Sequence, residues 1–244
     1  MIEELNTTVR VTLTQLQTQL GNGPIFIGED HSSSFAREAV IDLIEGGHVN
    51  KLFLELPNIE NAQEYGNPKM AIYLQSINRD RNQELEQEIL MTHNLMENMT
   101  RRKNEPPMGD LIQTALNKGG IAIYFHDVPQ APGGKFFIGN KTLTEEYASS
   151  IEGVIERNHY SAGIIMGHEF GPHTIILVGK DHLDPKAQDD QITLGQENTL
   201  QTLLGCDNQQ AFDLTTNQIK QIGPKGMNVQ NTQNTSNKGC CTLF

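Results

Sequence analysis

The sequence predicts an α/β domain: a mostly parallel β-sheet core flanked by helices, with a helical insertion at about 60–118. Three observations predict it. Short apolar runs at 25–27, 51–56, 121–125 and 174–178 have the length of strands and little polar alternation, as expected of strands buried on both faces. Stretches of helical periodicity separate them. The first two runs, with the helix between them, make a βαβ unit within about 32 residues, which implies parallel, right-handed pairing.

Each element follows from local chemistry. Ile2, Leu5, Val9, Leu13, Leu16 and Leu20 recur at helical spacing until Gly21-Asn22-Gly23-Pro24 stops the helix. The strand 25–27 then runs into Gly28-Glu29-Asp30-His31. Ser32, Ser33 and Ser34 are N-cap candidates for a helix to about Glu45, which Gly46-Gly47 ends. A strand at 51–56 closes at Pro57. From about 59 to 118 the chain reads as polar helices, broken at Glu105-Pro106-Pro107 and ending in a helix over 108–118. The methionines of this stretch read as packing filler. A third strand, 121–125, leads into His126-Asp127, and 130–140 reads as a loop. Thr142 or Thr144 caps a long helix to about Glu169. The fourth strand, 174–178, ends in Gly179-Lys180-Asp181-His182. A weak helix is expected within 187–204 and a short strand at 210–214. The domain is therefore expected over 1–216, followed by a flexible, polar tail over 217–244.

Composition narrows the function. The 244 residues carry a formal charge of −12, which argues against a nucleic-acid partner. The tail holds Lys220, Lys225 and Lys238 and no acid, so the body is −15 (−12 minus +3). No apolar run reaches the length of a transmembrane helix, and the acidic start Met1-Ile2-Glu3-Glu4 is unlike a secretory signal. The three cysteines, Cys206, Cys240 and Cys241, form no disulfide framework and no zinc spacing, which fits a reducing compartment.

The strand ends carry the chemistry. Two of them repeat the pattern strand, Gly, two residues, His, at Gly28–His31 and Gly179–His182. In open α/β sheets ligands bind beyond the carboxyl ends of strands, so both imidazoles can meet at one point. Glu55 closes an otherwise apolar strand, where a carboxylate is costly unless it is paired or functional. His126, Asp127 and Asp181 are further candidates. Arg157 lies near the inward stripe of its helix, suited to binding an anion or pairing with Glu55. Two histidines and a carboxylate (His31, His182 and Glu29) are donors that suit a divalent metal, zinc, manganese or cobalt, which would activate water. In that scheme His31, Glu55, Arg157 and His182 form the catalytic set, with Arg157 stabilising the oxyanion.

These residues resemble the superfamily of erythromycin-esterase-like, ChaN-like and Tiki/TraB-like proteins. The likeness rests on Gly28-Glu29-Asp30-His31, on Glu55, on Arg157-Asn158-x-x-Ser161-Ala162 and on Gly179-Lys180-Asp181-His182-Leu183, in that order. It spans roughly 24–185. Ser161 stands where a methionine is expected, and Ser32-Ser33 where the ChaN-like branch has Asp-Asn. The resemblance implies a parallel α/β core with a helical insertion, and a site made of His31, Glu55, Arg157 and His182. It also implies a split in function. Tiki-like members are metal-dependent proteases, erythromycin-esterase-like members open lactones, and ChaN-like members bind haem. The expectation is a hydrolase of peptide or ester bonds, acting on a protein or small molecule. The alternatives are a haem-binding protein and a non-catalytic adaptor.

The chain closes with Cys240-Cys241-Thr242-Leu243-Phe244. Cys241 fits a C-a-a-X prenylation site of the geranylgeranyl type, and Cys240 beside it can take a palmitoyl chain. The implied partners are a host prenyltransferase and membrane lipid. A core similar to bacterial families joined to a eukaryotic lipidation signal suggests a bacterial effector. It would be secreted into a host and held at the cytosolic face of a host membrane; without lipidation it would be cytoplasmic.

Overall fold

The structure, a computed structural model, describes residues 10–11, 13–30, 35–57, 108–128, 130–131, 135–139, 141–189, 192–206, 211–216 and 218–222. His31, the serines after it, most of the predicted insertion (58–107) and the tail from 223 lie outside the described residues.

Ten strands and six helices are described. In chain order they are β1 (Arg10–Val11), α1 (Leu13–Asn22), β2 (Ile25–Glu29), α2 (Phe35–Glu45), β3 (Lys51–Pro57) and α3 (Met108–Lys118). β4 (Ala122–Asp127), β5 (Gln130–Ala131), β6 (Lys135–Ile138), β7 (Lys141–Leu143), α4 (Glu145–Ala148) and α5 (Ile151–Met166) follow. The last are β8 (Thr174–Gly179), α6 (Leu200–Leu203), β9 (Ala211–Thr216) and β10 (Gln218–Ile222). Seven strands form one sheet in the order β1-β10-β9-β2-β8-β3-β4. The five from β9 to β4 are parallel, and β10 and β1 continue the edge by antiparallel pairing.

Strand periodicity sorts the core into two layers. Ile25, Ile27, Leu52, Leu54, Ile175 and Leu177 pack with Leu20, Leu43 and Leu111 from α1, α2 and α3. Their neighbours Phe26, Phe53, Ile176 and Val178 pack with Ala162, Ile165 and Leu200 from α5 and α6. Each such fully buried Leu, Ile or Phe contributes about 1.5–3 kcal/mol, so both layers are needed. β8 lies between β2 and β3. The expected βαβ unit is therefore parallel but spans one intervening strand, and the second Gly-x-x-His enters the centre of the sheet.

Several elements differ from expectation. The first helix begins at Leu13 rather than near residue 2, because Arg10 and Val11 pair with Lys220 and Ile219. The loop expected at 130–140 contains β5 and β6, which form with β7 a three-stranded antiparallel sheet. The long helix predicted to Glu169 is two helices. Thr144 caps α4 by accepting from the Tyr147 N–H, and Ser150 caps α5 by accepting from the Gly153 N–H. At their joint a Cβ on Gly153 would stand 2.0 Å from the Tyr147 carbonyl oxygen, so only glycine fits. The helix expected within 187–204 shrinks to a 3-10 turn at Gln196–Asn198 and the single turn of α6. β10 carries the sheet to Ile222, past the domain end expected at 216. Cys206 is buried, with its sulfur 3.5 Å from the Leu204 carbonyl oxygen. Among the described residues no helix is long and apolar enough to cross a membrane.

Candidate functional site

β3, β4 and β8 end side by side, and α5 crosses their ends on one face of the sheet. Leu54 pairs with Phe125 and Pro57 with Asp127, so Glu55 and Leu56 together oppose His126. This two-against-one arrangement is a β-bulge, a device that re-aims side chains near sites. Glu55 has the parity of Phe53 and so turns toward α5.

Arg157 of α5 meets it there. Its Nη2 donates to Glu55 Oε1 and, at 2.8 Å, to Asp127 Oδ2, while Nε donates to Asp127 Oδ1 at 3.0 Å. Nη1 points at the Ala148 carbonyl, 3.5 Å away. The ring of Phe136 from β6 lies 5.8 Å from the guanidinium carbon, a cation–π distance. Burial works against the guanidinium's charge, but Asp127 and then Glu55 outweigh it, so its pKa is raised further. Arg157 thus spends its donors on two carboxylates, which makes it a positioning residue.

The second Gly-x-x-His completes the cluster. The Gly179 N–H donates to Glu55 Oε2 at 2.5 Å, and His182 Nε2 lies 3.2 Å from Glu55 Oε1. Asn158 fixes the imidazole. Its Nδ2 donates to the carbonyls of His182 and Asn198, which leaves Oδ1 to accept from His182 Nδ1 at 2.6 Å. With Nδ1 committed as a donor, Nε2 is the nitrogen that faces Glu55 Oε1. Glu55, Asp127, Arg157 and His182 all have side chains at most 12% exposed. Gly28 allows this packing, since a Cβ there would stand 3.0 Å from Lys180 Cα. The glycine of the first motif therefore makes room for the turn of the second.

His126, one of the weaker sequence candidates, is fully buried. Neither ring nitrogen has a hydrogen-bond partner. The Leu177 carbonyl nonetheless acts on the ring as a backbone hydrogen-bond acceptor, too loosely for full hydrogen-bond geometry. Burial pushes its pKa down to about 4, against the opposing pull of Glu55 and Asp127. Its backbone carbonyl accepts from Ser161 Oγ at 2.9 Å. Asp181 is exposed on the 3-10 turn. Asn158, Ser161 and Gly179 were not among the sequence candidates as polar partners. The signal for Asn158 was its place beside Arg157.

Glu29 takes the other side of the sheet. It shares the parity of Ile25 and Ile27, and both its oxygens accept from Arg37 of α2, at 2.8 and 2.9 Å. Of the expected metal donors, Glu29 and His182 have other partners on opposite faces of the sheet, and His31 lies outside the described residues. No three metal-ligating side chains group together among the described residues. Between Glu55 and Asp127 a guanidinium already occupies the position a cation would take.

No family model and no curated protein matches the chain. Two solved structures are similar in shape. The type III effector HopBA1 aligns over 80% of this chain and 86% of its own, at 12% identity and a TM-score of 0.44. RRSP, a MARTX toxin effector domain from Vibrio vulnificus CMCP6, aligns over 88% of this chain and 38% of its own, at 16% identity and a TM-score of 0.48. Both are bacterial effectors. At these values neither likeness carries an argument about activity.

Proposed function

We propose that this chain is a hydrolase of peptide or ester bonds in which Glu55 and His182 share the proton chemistry. The observation that carries the reading is the buried contact between His182 Nε2 and Glu55 Oε1, with Asn158 orienting the ring from behind. This is the order of parts that acid–base catalysis needs: a carboxylate base, an imidazole and a group that orients it. Glu55 takes a proton from water as the water oxygen bonds to the substrate carbonyl carbon. His182 then gives the Nε2 proton to the leaving amine or alkoxide as its bond to that carbon breaks. Transfer of a proton from Glu55 to Nε2 resets the pair. Arg157 and the Gly179 N–H hold Glu55 in place and favour its ionised form between turnovers.

The resemblance to the esterase-like and Tiki-like families supports the hydrolase class. The donor arrangement favours a reaction without a metal. The test is a screen of peptide and ester substrates with wild-type protein, Glu55→Gln and His182→Gln, each with and without a chelator. Hydrolysis by wild type alone, unchanged by the chelator, is expected. Activity retained in both variants, with their folding intact, would reject the reading.

Delivery into a host cell and lipid anchoring rest on the sequence around Cys240 and Cys241 alone. In a eukaryotic cell Cys241→Ser is expected to move the protein from the membrane fraction to the soluble fraction; an unchanged distribution removes the anchor from the proposal.

A further inference from the structure

The geometry points to Gln201 as a positioning residue for His182, acting through the main chain at Leu183. The inference deepens the hydrolase reading above and rests on it for its effect on turnover. His182 leaves the sheet on the 3-10 turn Lys180–His182. The last carbonyls of a helical turn have no partner within the turn. Here two successive carbonyls accept from buried side-chain amides on two different helices. Asn158 Nδ2 of α5 donates to the His182 carbonyl at 3.0 Å, and Gln201 Nε2 of α6 donates to the Leu183 carbonyl at 2.9 Å. Asn158, His182, Leu183 and Gln201 are all buried.

The two amides differ in what they fix. Asn158 also accepts from His182 Nδ1, so it sets the rotation of the ring. One bond to one carbonyl still lets the peptide pivot. Gln201 supplies a second anchor one residue further on, and Leu200, beside it on α6, packs in the same core layer as Leu183. The pivot matters because one contact of the ring has no slack. The Nδ1 contact with Asn158 is short, at 2.6 Å, whereas His182 Nε2 lies 3.2 Å from Glu55 Oε1, at the long end of the N–H···O range. A shift of the main chain by about 0.3 Å can therefore end the contact with Glu55 and keep the contact with Asn158.

The other end of Gln201 separates this role from plain stabilisation. Its Oε1 is buried without a hydrogen-bond partner. An apolar side chain of the same length would remove that unpaired oxygen and leave the Leu183 carbonyl unpaired in its place. One buried acceptor without a partner is exchanged for another, so the change in stability is small. What is lost is the anchor.

The test is Gln201→Met, which keeps the length and removes the donor. With a substrate that wild type hydrolyses, kcat is expected to fall about tenfold, as for a slightly misplaced reacting group, with KM unchanged. Imidazole nitrogen NMR needs no substrate. The His182 Nε2 signal of Gln201→Met is expected to move toward its position in Glu55→Gln, while the Nδ1 proton stays bonded to Asn158. A Gln201 that only stabilises the fold would change the melting temperature and leave both His182 signals at their wild-type positions. That result, or a wild-type kcat in folded Gln201→Met, would overturn the proposal. Should Gln201→Met not fold, Gln201→Asn, whose amide is one methylene too short to reach Leu183, takes the same two readouts with the same outcomes. If wild type hydrolyses nothing, the hydrolase reading fails on its own, and the His182 signals still decide whether Gln201 places the ring.

Discussion

Two buried ion clusters sit on opposite faces of one sheet, and their difference separates structure from chemistry. On the α2 face, both oxygens of Glu29 accept hydrogen bonds from Arg37. On the α5 face, two carboxylates share one guanidinium, and an oriented imidazole joins them. The second has two carboxylates to one guanidinium, with the imidazole of His182 against Glu55 and the buried ring of His126 opposite it. This charge arrangement is why the proposed chemistry is placed on the α5 face.

The comparison can be broken most directly at the two glutamates. Glu55→Gln is expected to lower hydrolysis by about 10²–10⁴-fold while circular dichroism and melting show an intact fold. Arg37→Ala is expected to do the reverse. Removing one partner of a buried pair costs about 3–5 kcal/mol, read as a lower denaturation midpoint, while the kcat of the folded fraction stays at the wild-type value. A double change, Glu29→Leu with Arg37→Met, should recover much of that stability. Loss of kcat in a stable double variant would show that the α2 face also serves the chemistry.

A smaller effect is expected from pH. His126 has a folded pKa near 4, below its unfolded value of about 6.5. The unfolded chain therefore binds more protons between these values, and stability falls as pH drops from about 6.5 to 4. The loss approaches roughly 3 kcal/mol. The charged and titratable groups around the ring are Glu55, Asp127, Arg157 and His182, so the slope is read as the difference between wild type and His126→Phe. Equal slopes would remove His126 as the source. The smallest effect is expected at the start of α5. Ser150→Ala removes the cap on Gly153 and should cost about 1 kcal/mol, with a modest fall in kcat because Arg157 and Asn158 ride on that helix.

Much of the parallel core was legible from short-range pattern. The strands β2, β3, β4 and β8 announce themselves as apolar runs, and α2 and α3 as amphipathic stripes between turn residues. Glu55, Arg157 and His182 stood out because a polar group at the end of an apolar strand, or on an inward stripe, needs a partner. β9 was legible as a short strand at 210–214, but β10, its antiparallel pairing with β9 and the small sheet of β5, β6 and β7 were not. Their strands are two to five residues long, too short for alternation to rise above a polar background, and pairing with distant segments stabilises them.

What the sequence determined by itself is therefore local: where chains extend, where helices begin and stop, and which residues a strand delivers to its carboxyl end. Only the tertiary structure decided which of those residues meet. Glu29 and Glu55 look alike in sequence, each an acid closing an apolar strand. The sheet sends them to opposite faces because each follows the parity of its own strand. Insertion of β8 between β2 and β3 then brings Gly179 and His182 to Glu55. A bulge sets His126 opposite that carboxylate, and burial keeps its imidazole neutral. These outcomes depend on strand order and on what covers each face, which are set by contacts between residues tens to more than a hundred positions apart.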